Sequence, residues 1–108
     1  MNINRKKRNE RLSKARTLGI HTYNEWMDMI IFFEGFCVRC LAPDKYSTKD
    51  HIIPIYQGGS DGIDNIQPLC KKCNSSKASE SIDYRPKAAK YLRKNLPAEY
   101  HEIWEFEK

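Results

Sequence analysis

Asp50, His51 and Asn74 carry side chains that suit the hydrolysis of a phosphodiester bond. This reaction needs a base that takes a proton from water, and a positive centre that stabilises charge on the phosphorane and on the leaving oxygen. An imidazole can act as the base near neutral pH, and a hard divalent cation held by oxygen ligands can supply the positive centre. His51 is therefore a candidate general base, and Asp50 and Asn74 are candidate ligands of the cation.

Each of these residues also has a purely structural interpretation. His51 could be a buried histidine that hydrogen-bonds a backbone carbonyl, and Asp50 could be a turn residue. Asn74 could cap a short helix, a role that is compatible with metal ligation. Taken alone, His51 favours the structural interpretation, whereas its position beside Asp50 and inside the motif described below favours the catalytic one.

Four cysteines form two Cys-x-x-Cys pairs, Cys37 with Cys40 and Cys70 with Cys73. Two intervening residues let a tight turn present both sulfurs to one tetrahedral ion, and four thiolates leave no open position for water or substrate. Such a zinc site is structural, and its binding energy stabilises a domain too small for a large core. Two disulfides or four free thiols are the alternatives. Zinc alone does not indicate a function, since zinc ribbons occur in nucleases, transcription factors and ribosomal proteins.

Basic residues are concentrated near the N-terminus of this chain of 108 residues, whose formal net charge is +5. Seven of the 19 lysines and arginines lie between Arg5 and Arg16, where Glu10 is the only acid. Such a segment can contact a phosphate backbone, or it can be a solvated tail. The residues predicted to contact nucleic acid are Arg5, Lys6, Lys7 and Arg8 in this segment, and Arg39, Lys71, Lys72 and Lys77 near the cysteines. Ion pairing or solvation at the surface is the alternative for the latter group.

Two helices are predicted before the first cysteine pair. One runs from Arg5 to about Leu18 and ends at Gly19. The other opens with a capping box formed by Thr22 and Glu25. Its apolar residues recur with helical spacing and are expected to face the core: Trp26, Met29, Ile30 and Phe33.

Two short strands are predicted in the middle of the chain. The first covers Ser47–Ile53 and is stopped by Pro54, and the second covers Ile66–Leu69. Successive residues of a regular strand point to opposite faces of the sheet. Asp50 and His51 can therefore share a site only where the strand ends or is distorted.

Three helices are predicted after the second strand. They cover residues 72 to about 80, Pro86–Asn95 and a segment after Pro97 whose one side presents Tyr100, Ile103 and Trp104. We divide the chain into a basic N-terminal arm, residues 1–20, and a single domain, residues 21–108, with a motif core at residues 37–77.

This order of motifs resembles the HNH, or ββα-metal, nucleases. The resemblance covers about Cys37 to Lys77 and includes several elements in the same order: both cysteine pairs, Asp50-His51, Gly58-Gly59, Asn65, and Asn74 directly after the last cysteine. It implies an α+β fold with a ββα-metal core and a four-cysteine zinc site, flanked by N- and C-terminal helices.

The resemblance also implies a role for each polar residue of the motif. Asp50 and Asn74 would bind one catalytic divalent ion. Mg²⁺ or Mn²⁺ is expected, because Asn74 offers an oxygen where other members of the family have a histidine nitrogen. His51 would be the general base, and Asn65 would brace the loop through backbone hydrogen bonds. The products would carry 5′-phosphate and 3′-hydroxyl ends.

The function predicted from the sequence is a metal-dependent endonuclease that nicks DNA or cuts both strands. A non-catalytic zinc-ribbon binder or adaptor is an alternative, although it would need the cysteines and the basic arm but not Asp50, His51 and Asn74 together. A second alternative is a nuclease that assists phage packaging, with terminase subunits as partners. The acidic, aromatic C-terminal tail could be the docking face for them, although packing of the tail within the core is favoured. Phosphate contacts carry no base information, so the sequence indicates no DNA sequence preference.

The sequence predicts a cytoplasmic protein without a membrane partner. No apolar run approaches the roughly 18 residues that a transmembrane helix needs. The basic N-terminus is not followed by the apolar stretch of a secretory signal. For a phage-encoded protein the expected compartment is the cytoplasm of the host.

Overall fold

The computed structural model describes residues 3–43, 47–77 and 80–95, except for the side chains of residues 3–6 and 8. The elements in this part of the chain are α1 (Ile3–Leu18), α2 (Tyr23–Phe32), β1 (Thr48–His51), β2 (Ile66–Leu69), α3 (Lys71–Lys77) and α4 (Arg85–Asn95). The predicted α+β class is therefore confirmed. The helix predicted after Pro97 lies outside the described residues.

The first helix, α1, ends where the sequence predicts, before Gly19. Its side chains are mostly exposed, but Ala15 is buried. The backbone N–H of Asp61 donates to the carbonyl oxygens of Ala15 and Gly19, at 3.3 and 3.1 Å. Carbonyls at a helix C-terminus lack intrahelical partners, and this loop supplies one. The helix also packs against the 3₁₀ turn Ile55–Gln57.

The second helix, α2, begins with the predicted capping box. The Oγ1 atom of Thr22 accepts a hydrogen bond from the backbone of Glu25 at 3.0 Å, and the backbone of Thr22 donates to Glu25 Oε1 at 2.9 Å. Of the predicted apolar stripe, Trp26 and Phe33 are buried, and Met29 and Ile30 are half-buried. The chain leaves the helix through Gly35, whose φ of 74° is strained for residues with a Cβ.

The two strands pair in antiparallel register, with Thr48 opposite Leu69 and His51 opposite Ile66. The first strand is shorter than predicted and ends at His51. Ile53, predicted as its last residue, has left the ladder because its backbone N–H and carbonyl both hydrogen-bond the side chain of Asn65. This early end is what allows Asp50 and His51 to lie at the margin of the sheet.

The main hydrophobic core lies between the sheet, α2 and α4. Ala88, Ala89 and Leu92 of α4 are buried there, and the small alanine side chains let this helix approach closely. The remaining members of the cluster are Phe33, Cys37, Val38, Leu69 and Cys73. Two of the four cysteines are thus part of the core. None of the described helices combines the length and the apolar character needed to cross a bilayer.

Candidate active site

The four-cysteine cluster joins the turn before β1 to the start of α3. The sulfur atoms of Cys37, Cys40, Cys70 and Cys73 all lie within 4.8 Å of one another, and Cys40 and Cys70 are 4.0 Å apart. Zn–S bonds of about 2.3 Å in tetrahedral geometry place sulfurs ~3.8 Å apart. All four residues are free thiols, so the cluster fits a structural metal such as zinc.

The thiols of this cluster differ in their affinity for protons. Burial tends to raise the pKa of Cys37, but hydrogen bonds from the backbone of Cys40, Cys70 and Arg39 lower it to about 7. Burial and the neighbouring thiols raise the pKa of Cys73 to about 12. Four thiolates at this spacing repel one another, and a bound cation would stabilise them together.

Asp50 is buried at the end of β1. Its Oδ2 atom accepts hydrogen bonds from Lys77 Nζ at 2.6 Å and from Gln67 Nε2 at 2.9 Å. Gln67 lies opposite Asp50 on β2, and its side chain also binds the backbone of Ile82 and Tyr84. One carboxylate oxygen is therefore fixed by the fold. The other, Oδ1, accepts no hydrogen bond from the described residues.

Lys77 does not project into solvent as a phosphate ligand would. Its side chain is 0% exposed, and Nζ also points at the carbonyl oxygens of His51 and Ile52, at 3.3 and 3.5 Å. The inner side of α3 faces the end of β1, so a lysine one helical turn after Asn74 is directed beneath the strand. This corrects the phosphate contact predicted from the sequence, because Lys77 has an internal partner in Asp50.

His51 points to a different partner, as the alternation of strand side chains requires. Its side chain is 24% exposed, and Nε2 lies 2.9 Å from Oδ1 of Asp61. Asp61 lies in the loop between the two strands and was not singled out from the sequence. Nothing in its spacing from His51 indicates the contact, because the loop conformation alone brings them together.

Asn65 braces the loop between the strands, in the manner that the resemblance implies. Its amide nitrogen donates to the carbonyls of Ile53 and Ser60, at 3.0 and 2.8 Å, and its Oδ1 accepts from the backbone of Ile53. A Cβ atom at Gly59 would lie 1.8 Å from the carbonyl oxygen of Ile53. The second glycine of the pair is therefore required by close backbone approach.

Asn74 lies inside α3 and does not cap it. Its Nδ2 donates to Thr48 Oγ1 at 2.8 Å and to the carbonyl of Lys49 at 3.4 Å. The amide is thereby tied to β1 by its nitrogen. Its Oδ1 makes no hydrogen bond within the described part of the chain.

One open cavity brings together the three residues singled out for chemistry. It has a volume of about 470 Å³, and we call it the β1 cavity; its lining residues are Arg11, Leu12, Lys49, Asp50, His51, Pro54, Ile55, Tyr56 and Asn74. Oxygen atoms of the carboxylate and amide type suit hard divalent cations. Arg11 and Lys49 place positive charge on the same walls, which favours an anionic substrate.

The other basic residues predicted to bind nucleic acid have varied surroundings. Arg39 donates to Ser76 Oγ and to the carbonyl of Cys73, so it bridges the two halves of the four-cysteine cluster. Lys7, Lys71 and Lys72 are exposed. The side chains of Arg5, Lys6 and Arg8 lie outside the described residues. So does the acidic, aromatic tail, for which packing in the core is favoured and docking to terminase subunits is the alternative.

Comparison with known proteins gives a match to the central part of the chain. No curated protein matches the chain significantly. The family model described as HNH endonuclease matches residues 37–80. The matched segment contains all four cysteines and the residues around the end of β1. The central segment, residues 37–80, is therefore similar to the HNH endonuclease family, whose members are generally nucleases.

Proposed function

We propose that the protein is a metal-dependent endonuclease that hydrolyses DNA phosphodiester bonds. The proposal depends chiefly on one observation, the presence of Asp50, His51 and Asn74 on the walls of a single open cavity. A zinc-ribbon binder without catalysis, which is the alternative, does not need these three side chains to lie near one another. Positive charge from Arg11 and Lys49 on the same walls supports a phosphate substrate.

In this proposal Asp50 and Asn74 hold one divalent ion, Mg²⁺ or Mn²⁺. Each residue is anchored through one atom, Asp50 by Lys77 and Gln67, and Asn74 by Thr48. Each keeps an oxygen that has no hydrogen bond within the described residues, so a ligand can bind without breaking the anchors. The chemistry that such an ion supplies is stabilisation of charge on the phosphorane and on the departing 3′ oxygen.

His51 acts as the general base in this proposal. It is half-buried at the edge of the β1 cavity, so its ring can meet a water molecule there while one side is fixed by Asp61. It removes a proton from the water that attacks the phosphorus. The P–O3′ bond breaks and the departing oxygen takes a proton from solvent, so the products carry a 5′-phosphate and a 3′-hydroxyl. Base catalysis of this kind contributes about 10²- to 10⁴-fold to the rate.

DNA would be held by the basic residues outside the cavity. Residues 1–20 serve as a basic arm on the domain of residues 21–108, and Lys71 and Lys72 of α3 are exposed for backbone contacts. Arg39 is close to the same helix, through Ser76. Because contacts with phosphates are insensitive to base identity, we expect little sequence preference.

The test is a plasmid-nicking assay of the wild type and His51→Ala with added Mg²⁺ or Mn²⁺. Both proteins should fold, contain the same zinc and bind DNA equally, because His51 is not a ligand of the four-cysteine cluster and lies outside the hydrophobic core. The variant should cleave about 10²- to 10⁴-fold more slowly. Equal cleavage by both proteins would remove the general-base assignment. A wild type that binds DNA but cleaves it with neither ion would favour the zinc-ribbon binder.

A further inference from the structure

The ring of His51 contacts a carboxylate that the resemblance to the HNH nucleases did not identify. Oδ1 of Asp61 lies 2.9 Å from Nε2 of His51. The side chain of Asp61 is 11% exposed, so its interaction with the imidazole is little weakened by competing water. A buried carboxylate at hydrogen-bond distance from a candidate base restricts both the orientation of the ring and the location of its proton.

The position of Asp61 is itself determined by the segment around the end of α1. Its backbone N–H donates to the carbonyls of Ala15 and Gly19, and its own carbonyl lies 2.8 Å from Nδ1 of His21. Its second carboxylate oxygen lies 3.6 Å from Nε of Arg16. The residue is therefore held by backbone and side-chain contacts at once, and its carboxylate has little freedom to turn away from His51.

This contact selects one of the two neutral tautomers of His51. A carboxylate can only accept a hydrogen bond, whereas a neutral imidazole has one nitrogen that donates and one that accepts. With Asp61 at Nε2, the proton of the neutral ring lies on Nε2 and the lone pair lies on Nδ1. The same carboxylate also stabilises the imidazolium that forms when the ring takes a proton.

We propose that Asp61 is the positioning residue of the general base, and that it keeps Nε2 of His51 protonated so that Nδ1 receives the proton from water. This inference rests on the proposed function of His51. It also gives α1 a role in catalysis, because the end of this helix holds Asp61 in place. Asp61 itself is not among the residues that line the β1 cavity.

The first test compares Asp61→Asn with a matched control, Asp64→Asn. The substitution keeps the shape of the side chain, and Asp64 lies three residues away with an exposed side chain. The amide of the variant can donate to Nε2 and so favour the wrong tautomer. Changing a partner that orients a metal-ligating histidine typically costs about 10- to 100-fold in activity. By analogy, we expect Asp61→Asn to lower kcat about 10²-fold and to change KM less than about twofold. Asp64→Asn should leave both constants unchanged.

A double-mutant cycle separates positioning from general support of the fold. If Asp61 acts through His51, adding Asp61→Asn to His51→Ala should cost no further activity. The same loss in both backgrounds would mean that Asp61 only supports the structure, and would overturn the inference. Wild-type kcat in Asp61→Asn would overturn it as well. Equal melting temperatures and zinc contents of the compared proteins show that the effect is not unfolding.

The second test observes the tautomer directly and does not need cleavage. In protein labelled with ¹⁵N at histidine, at about pH 8 where ordinary imidazoles are neutral, the ring nitrogen shifts distinguish the two tautomers. His51 is assigned by the signals that disappear in His51→Ala. The wild type should show Nε2 protonated, and Asp61→Asn should lose this preference. An unchanged tautomer in the variant contradicts the inference, whereas a wild type with the expected tautomer but no cleavage contradicts only the proposed function.

Discussion

The four-cysteine cluster can hold a structural metal ion, whereas the β1 cavity is the proposed site of a catalytic one. The two differ in what completes each site. In the cluster, four sulfurs within 4.8 Å of one another leave no position for another ligand. In the β1 cavity, the proposed ligands are the free oxygens of Asp50 and Asn74, and the cavity leaves room for water and substrate. The first site connects distant segments of the chain, while the second depends on a fold that is already formed.

The anchoring of the donor atoms differs in the same way. The sulfurs have one another and the backbone as neighbours, so removing one of them opens the cluster. Asp50 and Asn74 are each tied to the fold by hydrogen bonds of their own, from Lys77 and Gln67 and to Thr48. We therefore expect changes in the cluster to affect stability first, and changes in the cavity to affect activity first.

The largest expected effect is that of Cys70→Ser on stability. Loss of one sulfur should release the metal and destabilise the domain by more than about 5 kcal/mol, because the binding energy of a structural zinc is part of the folding energy. Circular dichroism during heating and a measurement of bound zinc check this. Ser75→Ala, an exposed change in the same helix, is the control and should leave both quantities unchanged. Unchanged melting and zinc content in Cys70→Ser would show that the cluster is not a metal site.

A second, smaller effect is expected from Lys77→Met, which breaks the buried ion pair beneath the β1 cavity. The carboxylate of Asp50 would lose a partner at 2.6 Å while it stays buried. Removing one member of a buried pair costs about 3 to 5 kcal/mol, since the remaining charge is uncompensated. Urea unfolding of the zinc-loaded protein measures this loss.

The double variant Lys77→Met with Asp50→Asn is the matched control for that experiment. It removes both charges, so it should recover part of the lost stability while the metal content of the cluster remains that of the wild type. A single variant as stable as the wild type would mean that Lys77 reaches solvent and that the ion pair contributes little. Either result shows how much the ion pair that anchors Asp50 contributes to the stability of the fold.

The smallest expected effect is that of Asp83→Asn, which removes the ion pair with Arg85. Burial raises the pKa of Asp83, but hydrogen bonds and charge from Arg85 outweigh it and lower the pKa below its ordinary value. A lowered pKa contributes stability that is complete above the unfolded pKa and is lost as pH falls through the folded one. The side chain of Asp83 is 37% exposed, so screening by water limits the contribution to about 1 kcal/mol or less.

Urea unfolding at about pH 6 and pH 8 checks this prediction, because both values lie above the range in which aspartate ordinarily titrates. The cost of Asp83→Asn should be the same at the two values and should fall with added salt. A cost that grows between them would indicate that another group is responsible. This small loss of stability is the reference for the larger losses expected in Cys70→Ser and Lys77→Met.

Local features of the sequence predicted much of the fold. The capping box of Thr22 and Glu25 and the end of α1 before Gly19 follow from interactions within a few residues. The two cysteine pairs predicted their cluster, because each pair presents two sulfurs by a tight local turn and one tetrahedral ion needs four. The meeting of Asp50, His51 and Asn74 in one cavity was expected because the cysteine pairs draw their segments together and because the motif resembles a known family.

The contacts that orient the side chains of the candidate active site could not be predicted from local features of the sequence. A lysine one turn after Asn74 on a short, polar helix suggests a surface residue, yet Lys77 is buried against Asp50. Asp61 lies in a glycine-rich loop that carries no periodic signal, and its contact with His51 depends on how Asn65 folds that loop.

The sequence by itself determined the capping box of α2, the end of α1 before Gly19, the turn within each cysteine pair and the kinds of group available for chemistry, since these depend on neighbours a few residues apart. Only the tertiary structure decided that Lys77 faces inward, that β1 ends at His51 and that Asp61 holds the imidazole. These outcomes depend on the register of the two strands and on the docking of α1 and α3 against them. Contacts between segments distant in the chain are set by packing and hydrogen bonding of the whole domain, which local spacing does not encode.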